Sequence, residues 1–246
     1  PLYNGTEQIY VKSLSNLSAP PILVSADNGS PGAGYSRSPQ FSFDGTRLIF
    51  TSTSVPGAFA GSTGSQQIYV KNLISMPNSP DLVSQRTSGF PSNGYNEYPQ
   101  WSPDDQYIIF SSMATNLVPG TSGTYSQIYI KDATDLNREP DLISSLDGSA
   151  GLEGNGMSSF PQFTGDGYNI VFQTYSSNFE GSNGSTQIYR KDYLNLPQPP
   201  ELLSRRSKSY SPGSGMSENG QMSYDGTRVV FSSMASNFSA GGTAFN

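Results

Sequence analysis

The sequence predicts an all-β fold, a β-propeller of four blades, each of roughly 60 residues and four strands. Three recurring phrases predict it. The phrase Q-I-Y-x-K has its glutamine at Gln8, Gln67, Gln127 and Gln187, at intervals of 59, 60 and 60. A second phrase, P-Q-F-S-x-D-G with variations, has its glutamine at Gln40, Gln100, Gln162 and Gln221. A third closes each unit as PILVS, PDLVS, PDLIS and PELLS from Pro21, Pro80, Pro140 and Pro200. Fixed order at a single period is the mark of a repeat architecture. The abundance of Gly (26) and Pro (18), with only 13% charged residues, suits short strands joined by polar turns.

Each unit resolves into four strands. The first carries P-Q-F and ends at Asp-Gly (Asp44-Gly45, Asp166-Gly167, Asp225-Gly226), with Asp104-Asp105 as the exception. Asp-Gly predicts a two-residue hairpin in which both positions accept positive φ. The second strand is Leu48-Ile49-Phe50, repeated as Ile108-Ile109-Phe110, Ile170-Val171-Phe172 and Val229-Val230-Phe231. Three apolar residues in a row predict burial on both faces. The third, Q-I-Y-V-K, reads as an alternating strand. The fourth, L-V-S, is entered through a proline that suits a strand start or an edge. Residues 1–246 are expected to form one domain, with blade 2 over 38–84, blade 3 over 98–144 and blade 4 over 160–204. Blade 1 is composite, 1–25 plus 217–246, so that N- and C-terminal strands meet and remove an exposed sheet edge. One chain closing on itself, two chains sharing blades as a homodimer with a larger ring, and membership of a larger assembly all stay open.

Composition excludes several functions. The formal net charge is -6, and no basic cluster exceeds Arg205-Arg206 with Lys208, so nucleic acid is not an expected partner. With no Cys and no His, disulfides, Cys/His zinc sites, thiol nucleophiles and His-dependent triads are ruled out. The longest apolar runs, such as YIIF over 107–110, are too short for membrane insertion.

The Asp-Gly turn, the apolar strand ending in Phe, the I-Y-V strand with Lys-Asp or Lys-Asn, and the closing L-V-S together resemble the WD40-like repeat of TolB-type β-propellers. The phrase SSMATNLVPGTSGTYSQIYIKD over 111–132 is similar to the version found in large secreted or surface bacterial proteins. That version has Asp where this chain has Gln127, and acids in a loop that here reads G-T-S-G, G-S-T-G or G-S-N-G. The resemblance covers nearly the whole chain. It implies the propeller fold and export to periplasm, cell surface or medium. It implies no particular activity, because propellers host enzymes, sugar binders and scaffolds alike.

Among candidate residues, the repeated glutamines suggest a ring of amides around a channel, or amides that satisfy backbone groups of their own blade. Asp44, Asp104, Asp166 and Asp225 are read as turn residues, since a ring of like charges would repel. The oxygen-rich loops 25–34 and 145–156 have calcium-like chemistry but not the D-x-[DN]-x-[DN]-G spacing, so neither metal nor cofactor is assigned. The loops joining second to third and fourth to first strands share one face and are long and unlike one another. They carry Tyr35, Phe59, Phe90, Tyr95, Tyr125, Tyr175 and Tyr210 among Gly, Asn and Ser, the mixture that recognition surfaces use. The expected function is therefore non-catalytic binding or scaffolding of a protein or glycan partner through this face. A structural subunit of a surface assembly is one alternative. The other is a glycoside hydrolase with a carboxylate pair such as Glu97 and Glu218, chosen from Glu97, Glu153, Glu180 and Glu218.

Overall fold

In a computed structural model, residues 5–206 and 211–238 are described. A two-stranded sheet comes first, β1 (Tyr10–Val11) paired with β2 (Ile22–Leu23), followed by a short hairpin of β3 (Ala26–Asp27) and β4 (Ser30–Pro31). Blade 2 is β5 (Ser36–Phe41), β6 (Arg47–Ser52), β7 (Gln67–Asn72) and β8 (Asp81–Leu82). Blade 3 is β9 (Asn96–Trp101), β10 (Tyr107–Ser112), β11 (Gln127–Asp132) and β12 (Asp141–Leu142). Blade 4 is β13 (Ser158–Phe163), β14 (Asn169–Thr174), β15 (Gln187–Asp192) and β16 (Glu201–Leu202). A further two-stranded sheet, β17 (Ser217–Met222) with β18 (Val229–Ser233), ends the described series. Every pairing among these strands is antiparallel, and each complete blade is a meander in chain order. Among the described residues, the one helical turn is a 3-10 segment, Ala150–Leu152. No helix among the described residues is long and apolar enough to cross a membrane, a statement that leaves β-barrels aside.

The sheets pack face to face, β6 on β9, β10 on β13 and β14 on β17. One apolar cluster joins Ile49, Ile68 and Val70 of blade 2 to Trp101, Ile108, Phe110 and Tyr129 of blade 3. Its counterpart joins Ile109, Ile128 and Ile130 of blade 3 to Ile170, Phe172 and Tyr189 of blade 4. Successive residues of a second strand thus face opposite neighbours, and that is why three in a row are apolar. The third strand does not alternate as expected. Gln67 to Lys71 are all buried, because this strand too is sandwiched between sheets.

Each letter of the repeated phrase has a place. The glutamine amide stays inside its own blade. Gln67 accepts from Ser84 Oγ at 2.5 Å and donates to the Ser92 carbonyl at 2.8 Å, and Gln127 pairs likewise with Ser144 and Gly154. These amides therefore do not ring a channel. The tyrosine stacks on the phenylalanine of the second strand, as in Phe50–Tyr69 and Phe110–Tyr129.

The lysine is the inter-blade joint. Lys131 Nζ donates to the Gln85 and Arg86 carbonyls of blade 2, at 2.9 and 3.1 Å, and to Arg138 O in its own third-to-fourth connection. Lys71 reaches Ala26 O and Asn78 O, and Lys191 reaches Ser145 O and Leu146 O of blade 3. A buried ammonium is tolerable only when its donors are satisfied, and here backbone carbonyls satisfy them. Loss of hydration still dominates, lowering the Lys131 and Lys191 pKa values to about 8.

The Asp-Gly turns also differ from expectation. Phe41 opposes Leu48, so residues 43–46 form a four-residue connection, and only the glycine has positive φ, 70° at Gly45. Asp44 is structural. Its Oδ1 accepts from Ser42 Oγ and from Thr46 N at 2.7 and 2.9 Å. Those hydrogen bonds hold its carboxyl below the usual range, as similar ones hold Asp225 at about 2.

Phe59 does not belong to a binding surface. It is 1% exposed and packs edge-on against Phe50 and Tyr69. Leu117 and Phe179 occupy the same place in blades 3 and 4, each plugging the end of its own blade. Gly32 and Gly154 face the two phenylalanines, while Ser92 takes that position in the blade that carries leucine. A Cβ on Gly32 would lie 2.7 Å from Phe59 Cζ.

Two measurements check this core. Phe59→Ala should lower unfolding stability by about 3–5 kcal/mol, whereas Tyr35→Ala should change it by no more than about 0.5 kcal/mol. The second is pH dependence. Lysines at about 8 when folded and 10.5 when unfolded leave the unfolded chain with more bound protons between those values. Stability should therefore rise with pH across that window. Tyr129 and Tyr193 are pushed up to about 12 from an ordinary 10, chiefly by burial, so above pH 10 only the unfolded chain ionises them and stability falls. The urea midpoint should pass through a maximum near pH 10, and a steady decline from pH 8 would contradict the buried lysines.

Candidate functional site

The face carrying the long loops is built on the ends of the first and second strands. Tyr35, Tyr95 and Met157 lead into β5, β9 and β13, while Met113, Tyr175 and Met234 follow β10, β14 and β18. Backbone bonds hold the two rows together, with Met113 N to Tyr95 O at 3.1 Å and Tyr175 N to Met157 O at 2.9 Å. Gly94 and Gly156 permit the approach, since a Cβ there would overlap the backbone of the facing residue. All six side chains are exposed. The result is a band of tyrosine and methionine that recurs blade by blade. The methionines, which an aromatic pattern does not pick out, occupy the same repeat positions as the tyrosines.

The long loops behind this band are tied down. Asn93 donates from its backbone to Asn116 Oδ1 at 3.0 Å and from Nδ2 to Thr115 Oγ1 at 2.8 Å. Asn116 Nδ2 in turn donates to Pro91 O. In blade 4, Asn155 repeats the clasp with Asn178 and Ser177, and beside β17 and β18 Ser214 repeats it with Asn237 and Ser236. These bonds tie each fourth-to-first loop to the second-to-third loop beside it. Of the other expected residues, Phe90 and Tyr125 are exposed on these loops and Tyr210 lies outside the described residues.

The first strands carry a second feature. Each bulges at the residue before its proline, or before glycine in β17, giving positive φ at Ser38, Tyr98, Phe160 and Asn219, 51° to 57°. For aromatic residues this is a strained backbone. The bulges bring Tyr98 and Phe160 to a ring-centroid distance of 4.2 Å. Around them Ser38, Gln40, Gln100 and Gln162 help line a cavity of about 320 Å³ shared by three blades. Burial raises the Glu97 carboxyl, but Glu97 on β9 and Glu218 on β17 have β13 of blade 4 between them.

A concavity that the repeat pattern does not announce lies on the opposite, turn-bearing face. Between blades 2 and 3 the seam is filled. Asp105 takes positive φ and accepts from Phe43 N and Asp44 N at 2.6 and 2.9 Å, and Arg47 lies over Trp101 at 4.5 Å. Between blades 3 and 4, Tyr107 stands in the place of Arg47 and Gly167 in the place of Asp105. The unfilled seam is a cavity of about 530 Å³ whose lining includes Asp104, Tyr107, Asp132, Asp166, Tyr168 and Tyr193. Tyr193 is fixed by a 2.7 Å bond from its hydroxyl to Gly167 O. Among the described residues, no three acidic side chains gather as metal ligands.

No family model matches the chain, and no curated protein matches it. Solved structures do resemble it. A TolB protein from Agrobacterium tumefaciens is 18% identical with a TM-score of 0.45, over 83% of this chain and 72% of that one. Prolyl endopeptidases give 11% and 0.49 over 81% of this chain, and a puromycin hydrolase gives 12% and 0.48 over 86%. This chain spans only 26% and 32% of those two proteins, and likeness at this level carries no argument about activity. The chain's own fold is all-β, with antiparallel four-stranded sheets that pack face to face.

Proposed function

We propose that the chain is a non-catalytic binding module of an exported protein. Its sheets are wedged around an axis as a propeller, with β1–β2 and β17–β18 as the two halves of one blade. The observation that carries the reading is the exposed band of Tyr35, Tyr95, Met113, Met157, Tyr175 and Met234 over clasped loops. Tyrosine supplies rigid amphipathic contact, and methionine adapts to irregular apolar surface. That combination suits a protein partner. The absence of His and Cys, and the use of Asp44, Asp104, Asp166 and Asp225 within their own turns, support binding over catalysis.

The seam cavity supports a second reading, a hydroxyl-rich glycan. Its tyrosine rings and carboxylates match the faces and hydroxyls of a sugar, and it breaks the repeat symmetry.

Two arms separate the readings. With exported proteins of the source as prey, Tyr95→Ser/Tyr175→Ser should weaken capture of a retained protein at least about 30-fold, as truncation of an interface hot spot does. Its unfolding midpoint should be unchanged. Equal capture by wild type and variant contradicts the loop-face reading. On a glycan array, binding lost in Tyr168→Ala and kept in Tyr95→Ser would favour the seam.

A further inference from the structure

We propose that the cavity between blades 3 and 4 holds an amino sugar, its protonated amine seated between tyrosine rings and carboxylates. The assignment rests on the glycan reading of that cavity and adds the charge of the ligand.

The neighbouring seam shows what such a position takes. Between blades 2 and 3 the chain supplies a cation of its own, the Arg47 guanidinium, 4.5 Å above the centre of the Trp101 ring. Its Nη2 donates to Asp105 O at 2.7 Å. An aromatic face attracts a cation through its quadrupole, more strongly where water is excluded. Between blades 3 and 4 that cation is gone, because Tyr107 stands at the place of Arg47. Asp132 stands at the place of the neutral Asn72, so a negative charge is gained beside it.

The open seam keeps the rings and adds to them. Tyr107 and Tyr193 meet edge-on at 5.4 Å, and Tyr193 packs in the same way on Phe163 at 5.8 Å. Tyr168, 60% exposed, brings a further ring to the wall.

The carboxylates lack a counter-charge. No lysine or arginine lines the cavity. Asp104 uses only Oδ1 in its turn, accepting from Ser102 Oγ and Gln106 N at 2.6 and 3.1 Å. Among the described residues no hydrogen bond takes its Oδ2, and it has no ion-pair partner. Asp132 is partly balanced by Arg138, whose Nη1 lies 3.8 Å from Oδ2. Asp166 also lines the cavity, with its Oδ2 turned toward Gly226. Burial first, and then the Asp104 charge, push the Tyr193 hydroxyl up to about 12, which puts the negative field at the cavity wall.

A ligand that suits this lining is cationic, and an acidic glycan is repelled from it. At about 530 Å³ the cavity has room for more than one ammonium group, and Gln106 and Thr134 add polar partners for hydroxyls. A hydroxylated ring carrying an amine uses the rings, the polar groups and the carboxylates together.

The test is an array of glucosamine and galactosamine oligomers, each in free-amine and N-acetylated form, beside neutral hexose oligomers. Retained free-amine oligomers are then titrated calorimetrically. They should bind at least about 10-fold tighter than their N-acetylated forms, and more weakly as salt rises. Asp104→Asn/Asp132→Asn should remove that preference. Asparagine keeps the Oδ1 that each turn uses, as Asn72 does in blade 2, so the unfolding midpoint reports an intact fold. Tyr107→Arg, which restores the cation of the sealed seam, should abolish binding. Equal binding of the two forms overturns the charge and keeps the glycan reading, whereas retention of no glycan overturns both. A preference that survives the double variant overturns the site. A lysine tetrapeptide that binds as tightly as the free-amine oligomer overturns the sugar.

Discussion

A lysine ammonium taken out of water and seated on backbone carbonyls of the neighbouring sheet is the constraint on which the rest of this structure depends. It recurs at Lys71, Lys131 and Lys191, always at the end of Q-I-Y-x-K, and always spans from its own blade to the one before. The carbonyls it meets belong to the chain leaving a fourth strand, where backbone acceptors have no sheet partner. A single side chain therefore satisfies groups that would otherwise be buried without donors and sets the spacing of two sheets. Apolar burial on both faces of second and third strands supplies the attraction, and the lysine supplies position.

Fixed spacing gives the loop face its character. Because each blade is held to the next, the positions flanking first and second strands repeat as a band, and the Asn93–Asn116 and Asn155–Asn178 clasps carry that order into the loops. Rigid backbone with exposed tyrosine and methionine loses little conformational freedom on binding. The turn face follows a different logic. Where Arg47 and Asp105 occupy a seam the blades are sealed, and where Tyr107 and Gly167 replace them a cavity opens. Small changes in an otherwise regular repeat are enough to create a site.

Much of the fold was legible because repeats report on architecture directly. The order of strands, the doubly buried second strand and the structural role of the turn aspartates all follow from phrases that recur at one period. The failures have physical causes. Q-I-Y-V-K looks alternating because glutamine and lysine are polar, yet both are buried against backbone partners that no pattern displays. Phe59 looks like a loop aromatic because blade 2 carries two more residues than the others before its plug, which hides its kinship with Leu117 and Phe179. The Asp-Gly pair does not reveal loop length, which the serine two residues earlier settles by bonding across the turn. The seam cavity arises from residues distant in sequence, at 107, 167 and 193, and only the packed blades bring them together.

The most direct measurement is the rate at which each lysine is acylated by a small amine-specific reagent, read by mass spectrometry on the folded chain. If the joints hold the blades, Lys71, Lys131 and Lys191 react only through global unfolding, and together lag a free lysine by orders of magnitude. Should those three react as fast as a free amine while the chain stays folded, the joint is not what sets the sheets in place.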